Sequence, residues 1–237
     1  MLSPVYSRAL FCLFVSVLVL SSPLTSTYCK DVSGPLSPEE TLKNLVIPGD
    51  LEVTLFASEP MVRNPATLDI DARGRVWAAE GLNYRRYQDM VPEGDRIVIL
   101  EDTDGDGKAD SEKTYYQGKD IDNALGLCVI GNKVIVSRSP NVFIFTDEDG
   151  DDKPDKKEVL FQGISGEQHD HGVHSFVFGP DGKFYFNMGN EGKQLFHPNG
   201  KPVVDLAGNE VNATRNPYQQ GMVFRCNLDG SEVETLG

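Results

Sequence analysis

The chain is short of cysteine. Four occur in 237 residues, at positions 12, 29, 128 and 226, and no two form a C-x-x-C pair. This excludes a zinc ribbon and a haem-attachment motif within these residues, and also a fold held together by several disulfides. Cys128 in GLCVIG and Cys226 in VFRCNL lie in strand-like runs and read as buried free thiols. Positive charge is also scarce: 22 Lys and Arg stand against 36 Asp and Glu, a net charge of −14. That balance argues against nucleic acid and anionic membrane surfaces as partners, and suits an exported protein that holds cations. Long apolar runs are absent after the first thirty residues.

The one early apolar run, Ala9–Leu20, follows Arg8 and precedes the small and polar residues Ser21–Thr27. It falls short of the roughly 20 apolar residues that span a bilayer. Residues 1–28 therefore read as a secretory signal peptide, and the expected location is periplasmic or extracellular. The other reading, an uncleaved anchor, is the only route to a membrane. Tyr28 is bulky where a lipoprotein signal needs a small residue before its cysteine. Residues 29–50 read as a linker carrying a short helix, LSPEETLKNL, with Ser37 as N-cap, Pro38 at N1 and Glu40 closing a capping box.

From residue 51 onward the chain repeats itself. Shifted by 45 residues, RIVILEDTDGDGKADSEKTYYQG (96–118) falls on NVFIFTDEDGDDKPDKKEVLFQG (141–163), and GMVFRCNLDGSEVETLG (221–237) is a shorter third copy. Each copy reads as strand, Asp/Gly turn, strand. Each is preceded by a second hairpin: LDIDARGRVWAAEG, LCVIGNKVIVSRS and FVFGPDGKFYFNMGN, turning at Gly74, Gly131 and Gly182. Two hairpins per repeat make four strands, the blade of a β-propeller. An ordinary β-sandwich would not keep both sets of turns in step. The expected fold is all-β: a partial propeller of residues 51–237 with blades near 60–118, 119–163 and 164–237. Three blades do not close a ring, so a longer protein is expected, with LEVTLFAS (51–58) as the strand that completes the last blade.

The turns of the first two copies are acidic. Asp102, Asp104, Asp106 and Asp110 occupy positions 1, 3, 5 and 9 of a D-x-D-x-D-G pattern, and Asp147, Asp149, Asp151 and Asp155 repeat the set. Alternate residues of a tight curl point inward, and hard oxygens suit Ca²⁺. The flanks are strands rather than helices, and position 12 is Lys113 in one copy and Glu158 in the other, so these are not EF-hands. Two carboxylates about 4 Å apart repel by about 1 kcal/mol in water and about 4 kcal/mol at intermediate dielectric, so a gathered set needs a cation. The competing reading is a turn that splays its carboxylates into water. Gly107 holds the sixth place in the first loop and Asp152 in the second.

Three of the four histidines, His169, His171 and His174, lie in EQHDHGVHSFVFGPDGKFYFNMGNEG (167–192), directly before the first strand of the third blade. They could hold a transition metal with Asp170 or Glu167, or fill a channel mouth. The segment DHGVHSFVFGPDGKFYFNMGNEG resembles the active-site segment of soluble quinoprotein glucose dehydrogenases and the related glucose/sorbosone dehydrogenases, six-bladed propellers that use pyrroloquinoline quinone. The resemblance implies His171 as the general base that removes a hydroxyl proton while hydride passes to the quinone, with Asn190 where that family has an orienting Asp. His174 is an addition to the pattern. GDLEVTLFASEPMVRNPATLDIDARGRVWAAEGLNY, the acidic loops and HDHGVHSFVFGPDG together resemble the membrane-bound dehydrogenase-type proteins of planctomycetes. In those a propeller precedes helical repeats and a c-type cytochrome domain, so haem c would belong to a part beyond these residues.

Glu80 and the run Asn83-Tyr84-Arg85-Arg86 follow VWAAEG, and Arg138 follows VIVS, both read as inner strands whose ends reach the face of His171. Arg85 or Arg138 would contact an acidic cofactor; a solvated loop arginine is the plainer reading of each. Trp77 reads as packing between blades. Asn212-Ala213-Thr214 is a glycosylation sequon that matters only in a eukaryotic host. Two functions follow. One is oxidation of a sugar or alcohol with electrons passed to a cytochrome. The other is a non-catalytic, calcium-stabilised propeller that binds carbohydrate or protein.

Overall fold

A computed structural model describes residues 34–164, 171–189, 192–212 and 221–237. The signal-peptide residues, His169, Asp170 and Asn190 lie outside the described residues. No helix among the described residues is long and apolar enough to cross a membrane. The short helix α1 (Pro38–Asn44) starts as its sequence dictates. Ser37 accepts from the Glu40 amide and the Glu40 side chain accepts from the Ser37 amide.

Three antiparallel sheets follow in chain order. The first holds β1 (Pro65–Ile70), β2 (Val76–Glu80), β3 (Asp95–Glu101) and β4 (Ser111–Gly118), ordered as in the chain. The second holds β5 (Gly126–Ile130), β6 (Lys133–Arg138), β7 (Asn141–Thr146) and β8 (Lys156–Ile164), with a fifth strand, β11 (Gly192–Phe196), outside β8. The third holds β9 (Val173–Phe178), β10 (Phe184–Met188), β12 (Met222–Cys226) and β13 (Glu234–Thr235). The first strands pack side by side, β1 on β5 and β5 on β9. They are the inner strands of three blades of a partial β-propeller. VWAAEG and VIVS, expected as inner strands, are β2 and β6, one place further out.

The repeat is visible in the ladders. Gly74, Gly131 and Gly182 all take positive φ, the conformation a tight turn needs and that L-residues avoid. The outer hairpins share a β-bulge: Tyr115 is the extra residue between the pairs Ile97–Tyr116 and Val98–Thr114, and Leu160 is the extra residue in the second blade. One apolar layer lies between blades one and two, built from Trp77, Ile97, Tyr115, Leu127, Val136 and Phe145 among others. The next lies between blades two and three and includes Ile135, Phe161, Phe184, Phe186 and Phe224. Each buried side chain of this size contributes roughly 1.5–3 kcal/mol. Cys128 and Cys226 are buried free thiols, and burial pushes both pKa values up to about 12.

The strand expected of LEVTLFAS needs a last blade that these residues do not include, and no strand among the described residues runs beside residues 51–58. The Phe56 carbonyl accepts from the Ala109 amide, and Phe56 and Ala57 pack against Val98 and Leu100 instead. The third blade is also not one continuous hairpin pair. Between β10 and β12 the chain leaves it, pairs as β11 with the outer edge of β8, and buries Leu195, Val203 and Val211. An outer strand carries a row of unpaired amides and carbonyls, and β11 satisfies them.

Candidate functional site

Antiparallel order sends alternate loops to opposite ends of the blades. The starts of β1, β5 and β9 and the ends of β2, β6 and β10 share one end, the histidine face. The acidic loops share the other.

On the histidine face, His171 stands half-buried just ahead of β9. Two close approaches fix its backbone. A Cβ at residue 189 would lie 2.6 Å from the His171 carbonyl oxygen, so that position requires glycine, and one at residue 172 would lie 2.3 Å from Ser139 Oγ and displace that hydroxyl. The Gly189 amide donates to the Gly172 carbonyl at 2.8 Å, and Ser137 Oγ donates to the Val173 carbonyl at 2.6 Å. His174 lies opposite Asn187, next to a bulge whose extra backbone is taken up at Ser175, with φ 50°. Bulges re-aim side chains at strand ends.

Among the described residues, the buried polar atoms at this end of the blades without a hydrogen-bond partner include Asn123 Nδ2, Ser139 Oγ and Asn187 Oδ1, with Arg63 Nε beside Glu80. Each costs about 1–3 kcal/mol unless a ligand or water satisfies it. The sequence reading missed them; their place at strand ends on the side of His171 was the available signal. Arg138 is partly buried, with its Nη1 donating to the Ser139 carbonyl at 2.6 Å and its Nε to the Asp122 carbonyl at 3.4 Å. It lines a cleft of about 230 Å³ with Asn83, Gln88, Asp89, Lys119 and Asp122. Arg85 is exposed and lies over the Tyr84 ring. It is not part of that cleft's lining.

Two buried carboxylates shape the loops here. Asp95 accepts from the amides of Leu82, Asn83 and Asn123, at 3.0, 3.2 and 2.8 Å. Burial pushes its pKa up against those donors, and the Asp122 charge adds to the rise. Glu80 is fully buried between Arg96, whose Nη2 is 2.7 Å away, and Arg63 at 3.1 Å. Burial alone would raise its pKa, but donors from Arg96 and Arg63 outweigh it and hold the carboxyl below its ordinary range. Glu80 is thus a structural anchor.

On the acidic face, the carboxylates of Asp102, Asp104 and Asp106 lie within 4.8 Å of one another, and so do those of Asp147, Asp149 and Asp151. The ninth-place residues do not join them. Asp110 accepts from Thr103 Oγ1 at 2.8 Å, and Asp155 from the Glu148 amide at 2.6 Å. The loops differ in what lies beside them. Asp152, at φ 63°, reaches across to blade one and meets Arg75 at 2.9 Å, Arg73 at 3.1 Å and Lys113 at 3.1 Å. Arg75 also holds Asp71 at 2.8 Å. A cavity of about 280 Å³ lies at this junction, lined by Asp71, Arg75, Trp77, Tyr115, Asp147 and Asp152 among others.

Residues 37–225 match the model of a domain of unknown function, DUF7133. The chain belongs to the DUF7133 family. No curated protein matches it. Solved structures similar to this DUF7133 chain include the iodide structure of a Trichoderma reesei carbohydrate-active enzyme of family AA12, at 11% identity and TM-score 0.48, covering 74% of this chain and 38% of that one. The holo form of the pyranose dehydrogenase PQQ domain from Coprinopsis cinerea matches at 17% identity and TM-score 0.44, covering 69% and 34%. The calcium structure of the Trichoderma reesei AA12 enzyme matches at 10% identity and TM-score 0.45, covering 75% and 38%. The chain thus spans little more than a third of the length of these structures.

Proposed function

We propose that this DUF7133 chain carries the reactive face of an exported, dehydrogenase-like propeller that oxidises a sugar or an alcohol. The observation that carries the reading is one conjunction. His171, between Gly172 and Gly189, stands at the same end of the blades as the buried polar atoms of Asn123, Ser139 and Asn187, which have no partner among the described residues. An orphaned hydroxyl, amide and carbonyl suit a ligand rich in carbonyl and hydroxyl oxygens, and a quinone with carboxylates fits that description.

Pyrroloquinoline quinone, when bound, supplies the hydride acceptor. The chain's own residues do the rest. A ring nitrogen of His171 takes the substrate hydroxyl proton, a task imidazole suits because its pKa lies near neutrality. Ser139 Oγ and Asn123 Nδ2 donate to ligand oxygens, and Asn187 Oδ1 accepts from a hydroxyl. Arg138, at the rim, offers positive charge to an acidic cofactor; Arg85 on the same face offers a second. A c-type cytochrome would be the partner that accepts the electrons. His174, beside the bulge, orients the segment.

The second reading, a non-catalytic propeller that binds carbohydrate or protein, draws on Asn190, which cannot stabilise an imidazolium by charge. A dye-linked oxidation assay separates the two. The purified chain is incubated with pyrroloquinoline quinone and Ca²⁺ and offered a panel of aldoses and primary alcohols. Quinone-dependent dye reduction that His171→Ala lowers by about 100-fold supports the catalytic reading. Equal rates in wild type and variant would sink it.

A further inference from the structure

Behind the second acidic loop lies a cavity of mixed charged and apolar lining, and that cavity contains an unexplained group. Tyr115 is 3% exposed, yet its hydroxyl has no hydrogen-bond partner among the described residues. It lines the same cavity as Asp147, Gly150 and Asp152. The carboxylates of Asp147, Asp155 and Asp152 bear on the phenol, adding to the rise in its pKa that burial causes.

The repeat supplies an internal control. Tyr115 is the bulged residue of the first outer hairpin, and its counterpart 45 residues on is Leu160. Both are buried against the next blade. Leu160 faces the tight turn of the third blade, where a Cβ on Gly230 would lie 2.9 Å from Leu160 Cδ1. That turn, Asn227-Leu228-Asp229-Gly230-Ser231, has no D-x-D-x-D pattern, and packing there needs no hydroxyl. Where the facing loop is acidic, the same position carries a phenol. A buried hydroxyl costs free energy unless something meets it.

We propose that the second loop and the cavity behind it form a divalent-cation site. Asp147, Asp149 and Asp151 are the carboxylate ligands, and the Tyr115 hydroxyl holds a cation-bound water from the blade-one side. Ca²⁺ fits the all-oxygen donor set, and a cation of this kind keeps waters in its shell. Each carboxylate oxygen that accepts a backbone amide in the loop retains a lone pair for the ion. Asp152 engages Arg73, Arg75 and Lys113. Lys113 Nζ also donates to the Asp151 carbonyl, but among the described residues no cationic side chain pairs with the carboxylates of Asp147, Asp149 and Asp151. The first loop gathers the same three carboxylates, but the cavity beside its Lys108 and Ala109 is lined by Leu55, Phe56, Ala57 and Met61 among others and carries no buried phenol. The site lies on the face opposite His171 and stands or falls independently of the oxidation chemistry.

The test is calorimetric titration of Ca²⁺ into the chelator-stripped chain. Wild type binds with millimolar or tighter affinity. The pair Asp149→Asn and Asp151→Asn, both exposed, leaves the melting profile in EDTA unchanged and weakens that binding by about tenfold or more. Tyr115→Phe weakens it by about threefold, the loss of one hydrogen bond to a bound water. Asp104→Asn with Asp106→Asn leaves it in place. Absence of binding at millimolar Ca²⁺ overturns the proposal. So does binding that survives the second-loop pair, or an affinity that Tyr115→Phe does not change.

Discussion

The two acidic loops began as near copies and have become different devices. In the first, Gly107 occupies the sixth place at φ 86°, and a Cβ there would meet nothing within 4 Å. In the second, Asp152 accepts the same left-handed backbone, at φ 63°, and in return binds two arginines and a lysine of blade one. A residue that breaks the loop consensus is therefore a tether between blades. Local strain of this kind persists where the surroundings compensate for it.

The comparison can be broken most forcefully at Arg75. This guanidinium is buried between Asp71 and Asp152, and its removal takes the nearest cationic partner from both carboxylates, leaving Asp152 to Arg73 and Lys113. Arg75→Ala is expected to destabilise the chain by about 3 kcal/mol in chemical denaturation. Lys108→Ala, in the first loop, is expected to change stability by less than about 0.5 kcal/mol. A similar effect from both would mean that the second loop is not docked. Next in size is Asp152→Gly, which imposes the first loop's residue on the second. It relieves the strained φ but loses the tether, for a net loss of about 1–2 kcal/mol. A melting temperature that rises instead would show that the tether contributes nothing.

Acid should probe the same contact. Burial would raise the Asp71 pKa, but hydrogen bonds from the Trp77 indole and Arg75 hold it below its ordinary value of 3.8. A depressed carboxyl contributes stability that is present above its unfolded pKa and is lost as pH falls through the folded one. Stability should therefore decline as pH drops below about 4, with a shallower decline in Asp71→Asn. Identical slopes by thermal melts from pH 6 to pH 2.5 would remove Asp71 from the account. Apart from the Lys108→Ala control, the smallest effect is expected at Tyr115→Phe in the absence of divalent ions. Removing an unsatisfied buried hydroxyl should stabilise by about 1 kcal/mol, the opposite sign to most core changes. A loss of stability in EDTA would show that the hydroxyl has a partner.

The sequence made the blades legible because a propeller repeats its punctuation. Glycines at 74, 131 and 182, the Asp/Gly turns and the Ser37–Glu40 capping box each have a local physical cause, and each appears in the structure where expected. What stayed hidden depends on neighbours in space. LEVTLFAS has strand composition, but a strand exists only beside a partner, and Phe56 and Ala57 pack against blade one instead. The departure of β11 to the second sheet is invisible to a 45-residue shift because it interrupts the third copy. The candidate site was partly legible. His171, His174 and Arg138 do stand at one end of the blades, whereas the orphaned atoms of Asn123, Ser139 and Asn187 show only once the backbone has been folded around them.

The strand β11 has a mechanical consequence. Because the third blade lends the second its outermost strand, those two blades share a backbone ladder as well as an apolar layer. Among the described residues, blades one and two share no such ladder and are joined across their faces by side chains, including the Asp69 carboxylate on the Val129 amide. Under load or in denaturant, the seam beside Trp77 should part first, and the later blades should stay together as one piece that unfolds afterwards.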